Sequence, residues 1–218
     1  MNDDHCFSEE ERAAIYRVIA ERRDMRHFLS DPVNPIVLKR LLAAAHQAPS
    51  VGLMQPWRII RITDIKVRRV IAALVEEERL RTAEALADRG SEFMHLKVDG
   101  ILECGELLVA ALGDKREQHI FGRRTMPEMD LASVACAIQN LWLAARAEGL
   151  GMGWVSIFDP VHIAELLKMP AGSKPIAILC LGHVEAFYPA PMLKTAGWAD
   201  ERPLEELLFH NTWGSIEK

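Results

Sequence analysis

The reading of this chain turns on Arg22-Arg23-Asp24-Met25-Arg26-His27-Phe28. The stretch sets three guanidinium groups and one carboxylate at the end of an amphipathic segment. A planar guanidinium donates two parallel hydrogen bonds to one anion, so such a cluster suits phosphate. The carboxylate is the odd member, because it weakens an anion site unless it has separate work. Taken alone, a charged run at a helix end reads as a solvated face. Two later stretches shift that reading.

The first is Ala48-Pro49-Ser50-Val51-Gly52-Leu53-Met54-Gln55-Pro56-Trp57, which leaves a helix, turns through Pro and Gly and enters a strand. Ser50 and Gln55 offer donors and acceptors at its edge. A loop of this kind can present backbone groups to the rim of a planar heterocycle, and an ordinary helix-to-strand connection is the competing reading. The second is Gly149-Leu150-Gly151-Met152-Gly153-Trp154-Val155-Ser156. Its three closely spaced glycines let a backbone approach a ligand, with the Ser156 hydroxyl at the outer end of a strand. A glycine-relieved crossing between a helix and a strand competes.

Around these stretches the element order can be read. Ser8 and Glu11 form a capping box that opens a helix to about Arg22. Asn34-Pro35 is an N-cap and N1 pair for a helix to about Gln47. Trp57 to Thr63 is strand-like. Asp64 caps a long charged helix reaching about Asp88 and ended by Gly90, and a shorter helix is expected from Glu92 to Glu103. Leu107 to Leu112 is an apolar run of strand length. A polar connection over residues 113–128 contains Arg123-Arg124. Asp130 to Glu148 reads as one buried helix closed by Gly149, and Gly151 to Phe158 as a strand. Asp159-Pro160 starts a short helix, Pro175 to Val184 is a second buried strand, and Pro203 to Leu208 gives a turn or two of helix. Regular βαβ alternation is missing, and no GxGxxG follows the first strand, which disfavours a dinucleotide-binding fold. An α+β layered fold fits better. No repeat, low-complexity tract or composition break interrupts the 218 residues, so a single domain over 1–218 is expected.

Composition removes several functional classes. A net charge of −5 with interleaved signs argues against a nucleic-acid surface. Cys6, Cys104, Cys136 and Cys180 are scattered without metal-ligand spacing, which fits a reducing, cytoplasmic setting and no metal. Cys136 and Cys180 sit in apolar runs and read as small core residues. His46, His95, His162 and His183 read as surface or cap residues rather than a metal set. Met1-Asn2-Asp3-Asp4 is acidic and lacks the apolar stretch of a signal peptide, and no run reaches membrane-spanning length.

Taken in order, the three stretches resemble the nitroreductase-like flavoprotein family, whose pattern Arg-Arg-Ser-x-Arg-x-Phe stands here with Asp24 in place of the serine. The resemblance is nearer to one branch, the 5,6-dimethylbenzimidazole synthases (BluB-type). It rests on Arg-Arg-Asp, Ala48 to Trp57, Met129-Asp130-Leu131, Gln139 to Gly149, Gly153-Trp154-Val155-Ser156-Ile157-Phe158 and Gly197-Trp198. It runs from about Ser8 to Gly214 and is weakest over residues 76–125.

The resemblance implies a three-layer α+β fold, with a central, mostly antiparallel sheet flanked by helices and a C-terminal segment embracing a homodimer partner. It implies that reduced FMN is the substrate and is fragmented with O₂ to 5,6-dimethylbenzimidazole, the lower ligand of cobalamin, and erythrose 4-phosphate. A separate NAD(P)H-dependent flavin reductase would supply the electrons.

The resemblance also assigns residues. Arg22, Arg23, Arg26 and Arg202 go to the phosphate and ribityl end, and Ser50, Met54, Gln55, Trp57 and Trp154 to the ring and pocket walls. Met25, Lys97, Gly153, Val155 and Leu181 complete the expected flavin contacts. Asp24 is the expected general base, held ionised by its arginines, or else only their ion-pair partner. Ser156 orients the flavin or merely satisfies a strand end. Two other functions stay open. One is an NAD(P)H-dependent nitro-, quinone- or ene-reductase that retains its FMN; the other is a non-catalytic flavin-binding or storage protein.

Overall fold

A computed structural model of the protein describes residues 5–215. The acidic quartet at positions 1–4, read above as carrying no leader, lies outside the described residues. The chain separates into two compact units, Met1–Phe187 and Tyr188–Lys218.

The larger unit is built on four strands, β1 (Trp57–Ile62), β2 (Glu106–Leu112), β3 (Gly151–Val155) and β4 (Lys174–Gly182). They lie in the order β1-β2-β4-β3, and every pairing is antiparallel. Strands covered on both faces read as continuous apolar runs, and the central β2 is buried at every position. Side chains alternate between the faces. Leu108, Ala110, Leu112, Ala177, Leu179 and Leu181 share a core with α2 (Pro35–His46) and α5 (Met129–Ala147). Leu107, Val109, Ile178 and Cys180 share a second core with α3 (Ile65–Ala85) and α6 (Pro160–Leu166). The result is the expected three-layer arrangement of helices on both sides of an antiparallel sheet. Pro175 lacks the N–H that a regular ladder needs, and the β2–β4 register shifts between Ala110 and Ala111, beside it.

The helix starts follow the sequence signals. In α1 (Glu9–Glu21) the Glu11 N–H donates to Ser8 Oγ at 3.2 Å, and the Ser8 N–H donates to Glu11 Oε2 at 2.9 Å. Asn34, Asp64 and Asp159 accept from Ile36, Lys66 and Val161 N–H groups at 2.7–2.8 Å, which fixes the starts of α2, α3 and α6.

Four expectations need correction. Gly90 does not end α3; the break falls at Ala87, with φ 47°, and Gly90 opens the short helix α4 (Gly90–Met94). A Cβ at Gly90 would lie 2.3 Å from the Ala83 carbonyl oxygen, so close packing selects glycine here. The helix expected over Glu92–Glu103 stops at Met94, and the Asp99 carboxylate then caps a turn at Ile101 N–H at 3.0 Å. The strand expected to reach Phe158 ends at Val155, because the Phe158 N–H turns back onto the Ser156 carbonyl at 3.2 Å. Cys136 is exposed, outside the buried face of α5 centred on Ala137, Leu141 and Ala145, and Cys104 is buried instead.

The smaller unit contains α7 (Met192–Thr195) and a single 3₁₀ turn at Leu204–Glu206, the shorter form of the turn or two expected over residues 203–208. Lys194 pairs with Glu201 at 3.0 Å within it, and Leu204, Leu207, Leu208 and Trp213 are exposed. Among the described residues no helix is long and apolar enough to cross a membrane.

Candidate active site

The arginine-rich stretch is fixed by the end of α1 and the edge of β3. Helix α1 stops at Arg22, whose backbone turns extended after its N–H bonds Val18 O at 3.0 Å. Arg23 folds its guanidinium back onto the carbonyls of Ala20, at 2.6 Å, and Arg22, at 2.8 Å, so its charge meets the unpaired carbonyls of the helix end. The chain then runs beside β3, where Asp24 forms a parallel bridge with Met152 and the Met25 N–H donates to Met152 O at 2.9 Å. The Met25 side chain is fully buried, which makes it core.

Asp24 is held at both oxygens. The Trp154 N–H donates to Oδ1 at 2.9 Å and Arg26 Nη2 donates to Oδ2 at 2.7 Å. Arg26 Nη2 also donates to the Trp154 carbonyl at 2.9 Å. Gly153 makes this packing possible, since a Cβ there would lie 2.2 Å from Met25 O and 2.6 Å from Arg26 Nη1. The space expected for a ligand beside this glycine is thus taken by the chain's own residues. Burial pushes the Asp24 carboxyl above its ordinary value, against the pull of Arg26, the Trp154 N–H and Arg22. The arginines pull downward as expected, and desolvation outweighs them, so the net shift is upward. The carboxyl keeps an open side, with 43% of its side chain exposed.

Two residues missed from the sequence complete this corner, Trp142 and Arg146, one turn apart on α5. Trp142 Nε1 donates to Arg23 O at 3.1 Å, its ring lies 6.4 Å from that of Trp154, and the Arg22 guanidinium sits 4.5 Å above it. Arg146 bonds the Glu21 carbonyl at 3.3 Å and pairs with its carboxylate. Their i, i+4 spacing was visible, but nothing in the sequence marked them as facing Arg22 and Glu21. Ser156 follows β3 directly and is exposed.

The loop from Ser50 to Trp57 lies elsewhere. Gly52, Leu53 and Gln55 have φ of 52°, 52° and 47°, left-handed values that Leu and Gln rarely adopt. The loop is held in that shape by its own bonds. Ser50 Oγ accepts from the Gln55 N–H at 3.0 Å, and Ser133 Oγ on α5 accepts from the Val51 N–H at 3.1 Å. Met54 is half-buried, and the buried Trp57 donates through Nε1 to His46 Nδ1 at 3.3 Å. The loop enters β1, whereas Asp24 lies beyond β3, so the two groups of expected contacts occupy opposite edges of the sheet. Three strand spacings, about 14 Å, separate those edges.

The remaining expected contacts are scattered. Lys97 pairs with Glu103 at 2.9 Å. Val155 and Leu181 are core residues on opposite faces of the sheet. Arg202 is exposed in the smaller unit. Among the described residues no group of three or more His, Cys, Asp or Glu side chains could hold a metal ion. The corner formed by Arg22, Asp24 and Trp154, backed by the buried Trp142, therefore combines a cation for an anionic group, the half-buried indole of Trp154 and one carboxyl with an open edge. Those features fit a phosphorylated aromatic ligand.

Comparison with known proteins places the chain in a family. The model of the nitroreductase family matches residues 19–183. The chain is 41% identical over 187 residues to a 5,6-dimethylbenzimidazole synthase of Rhodospirillum rubrum, covering 84% of this chain and 87% of the relative. It is 39% identical to a protein of the same name from Rhodobacter capsulatus, covering 91% of this chain and 97% of the relative. Its fold is similar to that of a BluB-like flavoprotein from Clostridium difficile, with a TM-score of 0.70, 18% identity, and coverage of 91% of this chain and 99% of that one.

Proposed function

The chain belongs to the nitroreductase family, and from that premise we propose that it is a 5,6-dimethylbenzimidazole synthase, fragmenting reduced FMN with O₂ to the benzimidazole and erythrose 4-phosphate. The observation that carries this reading is Asp24, a carboxyl held at both oxygens yet open on one side, beside a cation and two indole rings. The likeness to relatives bearing that name supports it.

Reduced FMN supplies the electrons for O₂ and the carbon atoms of the product. In this reading Arg22 holds the phosphate. Trp154 walls the ring and helps keep water away, with the buried Trp142 behind Arg22 as support. Asp24 accepts and returns protons during C–C and C–N cleavage, and its raised pKa brings it nearer the range where one group can do both. Ser156 orients the flavin by one hydrogen bond. No metal is used. Electrons arrive from a separate NAD(P)H-dependent flavin reductase, in the cytoplasm.

The functional unit in this reading is a homodimer with two-chain sites. The separation of the Ser50–Trp57 loop from Asp24 supports it, since a partner can bring its own loop to the Asp24 corner. Helix α1 supports it too: it buries none of its residues and exposes Ile15, Tyr16 and Ile19.

The test mixes protein, FMN and excess NADPH in air, with and without a flavin reductase, and follows products by chromatography. Benzimidazole should form only with the reductase. NADPH oxidation by this protein alone would point to a nitro-, quinone- or ene-reductase, and intact FMN in both mixtures would point to a storage protein.

A further inference from the structure

We propose that Arg26 is a positioning residue for Asp24 rather than a phosphate ligand. The inference rests on the reading of Asp24 as the base. The Arg26 side chain is only 9% exposed, unlike a group waiting for a mobile anion. Its Nη2 bridges Asp24 Oδ2 and the carbonyl of Trp154, while the N–H of the same Trp154 holds Asp24 Oδ1. The four groups close a ring, so the carboxylate plane is set relative to the backbone of β3. Gly153 lies against the same corner. A side chain there would strike the Met25 carbonyl oxygen first and then Arg26 Nη1, so Arg26 packs into a corner whose closeness glycine permits. A guanidinium can bridge a carboxylate and a carbonyl in this way because its donors are fixed in one plane; an ammonium lacks that geometry.

The charged surroundings of Asp24 are few. Arg22 and Arg26 face it from its own segment, and β3 offers only the Trp154 N–H. On the α5 side Arg146 is engaged with Glu21. On β4 the thiol of Cys180, opposite Gly153, lies close enough to Arg26 to feel its charge. Removing the Arg26 cation should therefore leave Arg22 as the main opposing charge and move the Asp24 titration to higher pH. Protonated Asp24 is no base, so the acid limb of the rate profile should move the same way.

The experiment uses Arg26→Gln and Arg26→Lys in the full chain. Three quantities are read: the ratio of FMN to riboflavin affinity, the carbon-13 titration of the Asp24 carboxyl in flavin-free protein, and the pH profile of benzimidazole formation. Arg26→Gln should keep the affinity ratio, raise the titration midpoint and cut benzimidazole formation by about a hundredfold, the order of effect of a misplaced group. Arg26→Lys keeps a cation without the fork, so formation should fall while the midpoint moves less. It also decides the matter if Arg26→Gln does not fold. A tenfold or greater loss of the FMN preference with an unmoved Asp24 midpoint would overturn the proposal and return Arg26 to the phosphate. If the parent protein forms no benzimidazole, the functional reading fails, and the affinity ratio and the flavin-free titration still judge Arg26.

Discussion

Replacing Gly153 with alanine adds one methyl group at the most crowded point of the site. The new Cβ would lie 2.2 Å from the Met25 carbonyl oxygen, a backbone atom that cannot rotate away. Relief requires the segment around Met25 to move off β3. That motion stretches the Trp154 N–H bond to the Asp24 carboxylate and the Met25 N–H bond to Met152 O, both 2.9 Å. A hydrogen bond to a charged group contributes about 1.5–3 kcal/mol and a neutral one about 0.5–1.5 kcal/mol, and overpacking itself costs about 1–3 kcal/mol. These costs overlap, since movement relieves the clash, so a loss of about 3 kcal/mol is expected. For a chain of this length that lowers the melting midpoint by roughly 6–12 °C. Urea denaturation followed by circular dichroism measures it directly. Gly151→Ala is the comparison, because its Cβ would meet side-chain atoms, Val184 Cγ1 at 2.5 Å and Met25 Cγ at 3.0 Å, and not a backbone carbonyl. The reasoning is refuted if Gly153→Ala is as stable as the parent protein, or less harmful than Gly151→Ala.

Asp24→Asn keeps the shape of the carboxylate and removes the base, so benzimidazole yield after one turnover should fall by about a hundredfold or more while bound reduced FMN is still oxidised and recovered intact. A normal yield demotes Asp24 to an arginine partner. The same variant bears on stability. A carboxyl raised in the fold contributes stability below its unfolded value, near 3.8, that is lost as pH rises through the folded value. Asn does not titrate, so the stability of Asp24→Asn relative to the parent should improve from pH 3 toward neutrality, and a flat difference in urea titrations contradicts the raised pKa. Arg22→Ala should weaken FMN binding by about tenfold to a hundredfold and riboflavin binding far less, as expected for a charge-assisted phosphate contact; equal losses measured by fluorescence titration remove Arg22 from that role. Ile19→Glu places a charge on the exposed apolar face of α1 and should yield a monomer without benzimidazole formation, and a monomeric parent protein in sedimentation velocity sinks the dimer reading.

The elements were legible where a local signal is also the physical cause. Ser8, Asn34, Asp64 and Asp159 cap helices because their side chains reach backbone N–H groups two or three residues on. The run Leu107 to Leu112 is a central strand because both of its faces are covered. What failed depends on distant packing. Gly90 resembles a helix stop, but its neighbour is Ala83 and its role is close approach. Cys136 sits in an apolar run, yet only one face of α5 is covered. In the site, the grouping of Arg22, Asp24, Gly153 and Trp154 could be anticipated from the family pattern. The division of labour among the arginines could not. It follows from which carbonyls lie within reach: Ala20 for Arg23 and Trp154 for Arg26.

The bridge between Asp24 and Met152 is a single rung, whereas β2 and β4 share a long ladder in the core. Strength is therefore spread unevenly over the molecule. The segment carrying Asp24 is otherwise held by side chains, the buried Met25 and the Asp24 and Arg26 bonds to Trp154, so it can open from β3 at a lower free energy than the sheet needs to melt. Mild heating or dilute denaturant should then silence the protein while its circular dichroism still reports an intact fold. Loss of function and loss of structure become separate events, and a stabilised variant retains its chemistry only if the added stability reaches this segment.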